Sequence, residues 1–187
     1  MAYENIELDV SPEGTAVVLL NRPQKRNAFN AEVIEELTDA FETLSKTATT
    51  VRAKYADRAE ADIWYGIIVA SYAGAKGGVG ALALVKDAKA ALEHAIASDP
   101  KALAGSAYTS LGSLYYQVPG WPIGFGDDKK ARELLETALK LNPDGIDPNY
   151  FYGEYQCAKC LRSHGVPLSE VRIGVAGSAA RGMPRRA

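Results

Sequence analysis

The sequence predicts a mainly α protein, built of helical hairpins stacked as repeats and preceded by a β-hairpin and an amphipathic helix. Three observations carry this expectation. Residues 5–10 and 15–20 are short β-rich runs separated by a Pro/Gly turn. From Val33 onward the apolar residues recur at helical spacing. The helical part also matches itself at a fixed displacement of 43 residues, the mark of a repeat architecture.

The elements follow in order. NIELDV and TAVVLL alternate or run apolar on either side of Ser11-Pro12-Glu13-Gly14, which predicts a hairpin. Asn21 to Asn27, with Pro23, ends the second strand. Asn30 is a natural N-cap, and Val33, Ile34, Leu37, Ala40, Phe41 and Leu44 form one face with Glu35, Glu36, Asp39 and Glu42 outside it. This helix is expected to end near Thr47 to Thr50. Strand signals vanish from Val51 onward, which sets a boundary near residues 46–51 and divides the chain into 1–46, 51–162 and a tail, 163–187.

Within the second part, Ala88, Leu92, Ala95 and Pro100 recur as Ala131, Leu135, Ala138 and Pro143. The preceding helix is expected to repeat at the same offset without a gap, Tyr65, Ile68, Val69 and Tyr72 answering to Tyr108, Leu111, Gly112 and Tyr115. Small Ala lets a neighbouring helix approach, Leu or Tyr fills the groove, and Pro stops the second helix. A third first-helix begins near Asp147 to Asn149 and runs through Tyr150, Phe151, Tyr155 and Leu161, giving two and a half units.

Composition narrows the function classes. Lys plus Arg number 21 against 23 Asp plus Glu, a net charge of −2, so nucleic acid is not an expected partner. The charge is uneven: residues 1–46 carry −5 and residues 159–187 carry +5. The Gly/Ala/Arg-rich end, 174–187, reads as a solvated, disordered tail. Val171, Ile173 and Val175 alternate, which offers residues 170–176 as a third strand that would bring the basic tail to the acidic start. Two cysteines make no disulfide framework. With no signal peptide and no run of 18 apolar residues, the chain as written reads as cytoplasmic, with no membrane insertion.

The spacing Ala-x3-Leu-x2-Ala-x4-Pro, behind a helix of aromatics, Leu and small residues, resembles the tetratricopeptide repeat. The period of 43 exceeds the family's about 34. The excess is expected as inserts at Ala73 to Asp87 and Tyr116 to Lys130. The second, Val118-Pro119-Gly120-Trp121-Pro122-Ile123-Gly124-Phe125-Gly126-Asp127, resembles a loop of tetratricopeptide-like bacterial proteins related to the periplasmic T-component of TRAP transporters. That resemblance covers about residues 51–156 and implies an exported protein serving solute transport.

Residues 4–44 resemble something else. Val-Val-Leu-Leu-Asn-Arg-Pro-Gln-Lys-Arg-Asn-Ala-Phe-Asn before an acidic helix is similar to the opening of enoyl-CoA hydratase (crotonase) family proteins. The resemblance implies coenzyme A beside Lys25, Arg26 and Ala28, and the activity of an acyl-CoA hydratase or isomerase. The family's oxyanion hole and acid–base carboxylates lie later in its chains, and here Ala-rich helices intervene. The segment therefore reads as a fragment without catalysis, and its joint near residue 46 suits a fusion or chimera.

Other motifs have plainer readings. Lys76-Gly77-Gly78-Val79-Gly80 suggests a phosphate loop, but Ala81 and Leu82 stand where Lys and Ser/Thr would bind phosphate and magnesium, so a loop between helices is expected. Cys157, Cys160 and His164 give three soft ligands where structural zinc takes four, so no metal is expected. Asp127, Asp128, Asp144 and Asp147 sit at loop–helix junctions as caps. Trp64, Tyr116 and Trp121 fall outside the repeat register and are expected to line a concave surface binding a protein, peptide or small ligand. The sequence thus favours a non-catalytic binding or scaffold module with no cofactor and leaves its oligomeric state open.

Overall fold

A computed structural model describes residues 3–11 and 15–163. Strands β1 (Ile6–Val10) and β2 (Ala16–Leu20) form an antiparallel hairpin in the register Ile6↔Leu20 to Val10↔Ala16. Six helices follow: α1 (Ala31–Lys54), α2 (Ala59–Lys76), α3 (Ala81–Ser98), α4 (Ser106–Gln117), α5 (Asp128–Leu141) and α6 (Ile146–Ser163). The protein is mainly α with an N-terminal β-hairpin. None of the described helices is long and apolar enough to cross a membrane.

Alternation decides how the hairpin sits. Ile6, Leu8, Val18 and Leu20 face α1 and pack on Val33, Leu37 and Ala40, while Glu7, Asp9, Val17 and Leu19 face away. The Glu36 carboxylate of α1 fixes the start of β1, accepting from the Glu4 and Asn5 backbone N–H groups at 2.9 Å each and from the Asn5 amide at 3.2 Å. Desolvation pushes the Glu36 carboxyl upward, but these donors outweigh it and hold the group below its ordinary range.

Asn30 caps α1, its Oδ1 accepting from Val33 N at 3.1 Å. The helix runs beyond the expected end at Thr47 to Thr50, reaching Lys54 without a break. The Thr-rich stretch stays helical because Ala48 within it packs into the core against α2, and the hydroxyls of Thr47, Thr49 and Thr50 each donate to the carbonyl four residues earlier. Leu44 and Ala48 lie buried on α1, and Ala48 joins the same core cluster as Ile63 of α2. The N-terminal half of α1 thus carries the hairpin and its C-terminal half the helical array.

In that array α2 pairs with α3 and α4 with α5, while α4 also touches α2 and α6. Ala88, Leu92 and Ala95 of α3 and Ala131, Leu135 and Ala138 of α5 are all buried. Two glycines let the paired helices meet. A Cβ on Gly66 would lie 2.7 Å from Leu92 Cγ and 3.3 Å from the Ala88 carbonyl oxygen; on Gly112 it would lie 2.7 Å from Leu135 Cγ and 3.3 Å from the Ala131 oxygen. These two contacts set Leu92 and Leu135 43 residues apart, but Gly66 and Gly112 46 residues apart. The gapless alignment of Tyr65 with Tyr108 and Tyr72 with Tyr115 is corrected accordingly.

The expected inserts also differ from each other in kind. Most of residues 73–87 is helix, because α2 continues to Lys76 and α3 starts at Ala81. Only Gly77–Gly80 links them, with φ of 62° and 65° at Gly77 and Gly78, a region glycine enters without steric cost. Residues 118–127 are a true loop, containing a cis Trp121–Pro122 peptide.

Candidate functional site

These two loops frame an apolar groove of about 480 Å³. Its floor is the last turns of α2 and α4, through Ala70, Ala73, Gly74 and Leu114; one wall is the start of α3 with the glycine linker, and the other is Val118, Pro119 and Ile123. The linker wall is held by Gly77 N donating to Ala73 O at 3.0 Å and Leu82 N to Val79 O at 3.2 Å. The loop wall is held by Gly126 N donating to Pro119 O at 3.0 Å and Asp127 N to Tyr115 O at 2.9 Å. Phe125 pins it further, meeting buried Tyr115 edge-on with ring centroids 5.3 Å apart. Asp127 then caps α5, accepting from Lys129 N and Lys130 N.

The rim is apolar and open. Val79 is 86% exposed and Ile123 63% exposed, one on each wall, and Trp121, two residues before Ile123, is 90% exposed. Gln117 is a polar group of the lining, and its amide donates to the Tyr116 hydroxyl at 3.1 Å. Gly74 opens onto the groove, and a Cβ there would meet nothing within 4 Å.

The three aromatic residues expected on one binding surface separate. Trp121 is exposed beside the groove. Trp64 is exposed on α2, ten residues before Gly74 and so about 15 Å along the helix from it. Tyr116 is buried: its ring meets Tyr155 at 5.8 Å and its hydroxyl donates to Glu154 of α6 at 2.6 Å. Burial first, then the Glu154 carboxylate, raises the Tyr116 phenol far above its ordinary value. Its place is the core between α4 and α6, a contact made by a helix thirty residues further on.

Lys25, Arg26 and Ala28 lie exposed on the turn after β2, where residues Pro23–Lys25 make a 3-10 turn and Arg26 and Asn27 take φ of 53° and 52°. The turn is self-bonded: Arg22 N donates to Asn27 Oδ1 and Arg22 Nη1 to Ala28 O, both at 2.8 Å. The Gly77–Gly80 segment is a loop between helices. Cys157 and Cys160 are exposed on α6, and His164 lies outside the described residues, as do residues 170–176 and the rest of the tail. Among the described residues no three His, Cys, Asp or Glu side chains gather to hold a metal ion.

One polar cluster escapes the sequence reading. Asp62 of α2, only 4% exposed, accepts from Arg52 Nε of α1 at 2.5 Å and lies 2.6 Å from His94 Nδ1 of α3. Its two oxygens thereby join three helices. The sole sequence signal is an acid inside the apolar run Ala61-Asp62-Ile63-Trp64-Tyr65. No family model and no curated protein matches the chain.

Proposed function

We propose that residues 59–163 form a non-catalytic binding module of tetratricopeptide-like build, which takes a small apolar ligand or an apolar side chain of a partner into the groove at the ends of α2 and α4. The observation that carries this reading is the groove itself: apolar throughout its floor, held open by two internally bonded loops, and rimmed by exposed Val79 and Ile123. Its volume falls within the roughly 300–1,000 Å³ of small-molecule sites. The tetratricopeptide-like build is supported by the matching Gly66–Leu92 and Gly112–Leu135 contacts.

Titration with the apolar fluorophore 1-anilinonaphthalene-8-sulfonate tests the reading. Saturable binding is expected to the folded protein, and Gly74→Phe, which adds a ring where there is open space, is expected to abolish it with cooperative unfolding retained. Binding that persists in a folded Gly74→Phe variant, or no saturable binding to the parent, would overturn the assignment.

A further inference from the structure

We propose that β2 is a self-pairing edge, through which two copies of this chain join β2 to β2 antiparallel and build a four-stranded sheet about a two-fold axis. The ladder's parity leaves β2 half-used. Asn21 N donates to Asn5 O and Ser11 N to Thr15 O, both at 2.8 Å, so the bonded pairs are the odd-numbered ones, including Glu7↔Leu19 and Asp9↔Val17. The N–H and C=O groups of Ala16, Val18 and Leu20 therefore point away from β1. Among the described residues none of these groups has a hydrogen-bond partner.

The two edges of the hairpin are not equivalent. The β1 side carries Glu7 and Asp9 on its outer face, and the Glu36 carboxylate holds its start. The β2 edge is Ala-Val-Val-Leu-Leu, with no charge, no proline and no bulge, the devices by which natural edges avoid pairing. Val17 and Leu19 are 53% and 54% exposed on its outer face.

The pattern selects a second copy as the occupant because it is complementary to itself. With Val18 on the two-fold axis, Val18 meets Val18 of the second copy, Ala16 meets its Leu20, and Val17 meets its Leu19. Every cross-strand pair is apolar, and the outward Val17 and Leu19 of both copies close into one cluster. The same operation on β1 about Leu8 would set Glu7 against Asp9, a like-charge pair. Pairing at β2 leaves those acids on the outer strands.

Sedimentation equilibrium of the full chain across a concentration series tests this, with amide exchange read at single residues. The expected result is reversible dimerisation to twice the 20.0 kDa chain mass. Exchange at Ala16, Val18 and Leu20 should slow as the dimer forms, whereas Val17 and Leu19 should be slow throughout. Val17→Lys combined with Leu19→Lys should weaken dimerisation about a hundredfold or more, since the lysines face each other across the axis. Within one copy they face Asp9 and Glu7, so the hairpin stays folded. Val18→Pro, which removes an outward N–H, should act in the same direction. A monomer at every concentration overturns the proposal; if its Val18 amide is protected nonetheless, residues 164–187 or another segment covers the edge. A dimer indifferent to the lysine pair also overturns it.

Discussion

Replacing Gly112 by alanine tests the packing that defines the array. The new methyl carbon would sit 2.7 Å from Leu135 Cγ, 3.0 Å from its Cδ2 and 3.3 Å from the Ala131 carbonyl oxygen. Carbon atoms pack at about 3.5–4 Å, so α4 and α5 must part by about 1 Å or Leu135 must leave its rotamer. Leu135 is fully buried and has no room to swing aside. Overpacking of this kind costs about 1–3 kcal/mol, against about 0.5–1 kcal/mol gained by replacing a helical glycine. The net loss lies between about 0 and 2.5 kcal/mol, and the 2.7 Å approach to a fully buried side chain puts it in the upper part of that range, roughly a 2–10 °C fall in melting temperature for a chain of this size. Thermal unfolding followed by circular dichroism reads it directly. Gly66→Ala should behave alike against Leu92, while Gly153→Ala, with nothing within 4 Å of the added carbon, should raise the melting temperature. In a Leu135→Ala background the penalty of Gly112→Ala should shrink, because the clashing atoms are gone. A Gly112→Ala protein as stable as the parent would refute the close approach.

Three further outcomes are expected. Asp62→Ala should lower stability by about 1–3 kcal/mol in urea unfolding, since it strips Arg52 and His94 of their shared carboxylate; Arg52→Ala should add little on top of it, and full additivity would mean the three groups do not act together. Glu36 has a depressed folded-state pKa, so its contribution to stability is present above the ordinary carboxylate pKa and is lost as pH falls through the folded value; Glu36→Gln should therefore lose less stability than the parent between pH about 6 and about 3, and equal losses would contradict the cap. Calorimetry with coenzyme A should give no binding at millimolar ligand, whereas a micromolar dissociation constant weakened by Lys25→Ala and Arg26→Ala would revive the hydratase reading of residues 4–44.

The fold class was legible because each element carries a local period. The inward residues Ile6, Leu8, Val18 and Leu20 alternate, and Ala88, Leu92 and Ala95 recur at helical spacing. The register between the first helices was not legible, for a geometric reason. Sliding one helix by three residues keeps nearly the same face toward its neighbour, so the tyrosines at 65, 72, 108 and 115 align plausibly at 43. The contact of a glycine with a leucine, which fixes the offset at 46, involves a residue with no side chain to advertise it. The end of α1 was misjudged because helix propensity argues against threonines, and packing against α2 overrides propensity. The groove was legible only in fragments: its loops announce themselves by Gly and Pro, but the floor joins α2 and α4 across forty residues. The burial of Tyr116, expected on a binding surface, and the Asp62 cluster were hidden for the same reason, since Glu154 and His94 reach them from distant segments.

The continuous α1 and the order of packing that follows it bear on how the chain folds. Each helix meets its immediate chain neighbours, α1 on α2, α2 on α3 and so on to α6. Contacts between segments close in sequence need little loop-closure entropy, and proteins made of them fold quickly. Because α1 shares its length between the hairpin and α2, one continuous helix serves both the sheet and the helical packing. The face of α2 that carries Gly66 is closed only by Leu92 of α3, so the hairpin, α1 and α2 depend on the following helix to bury their shared core.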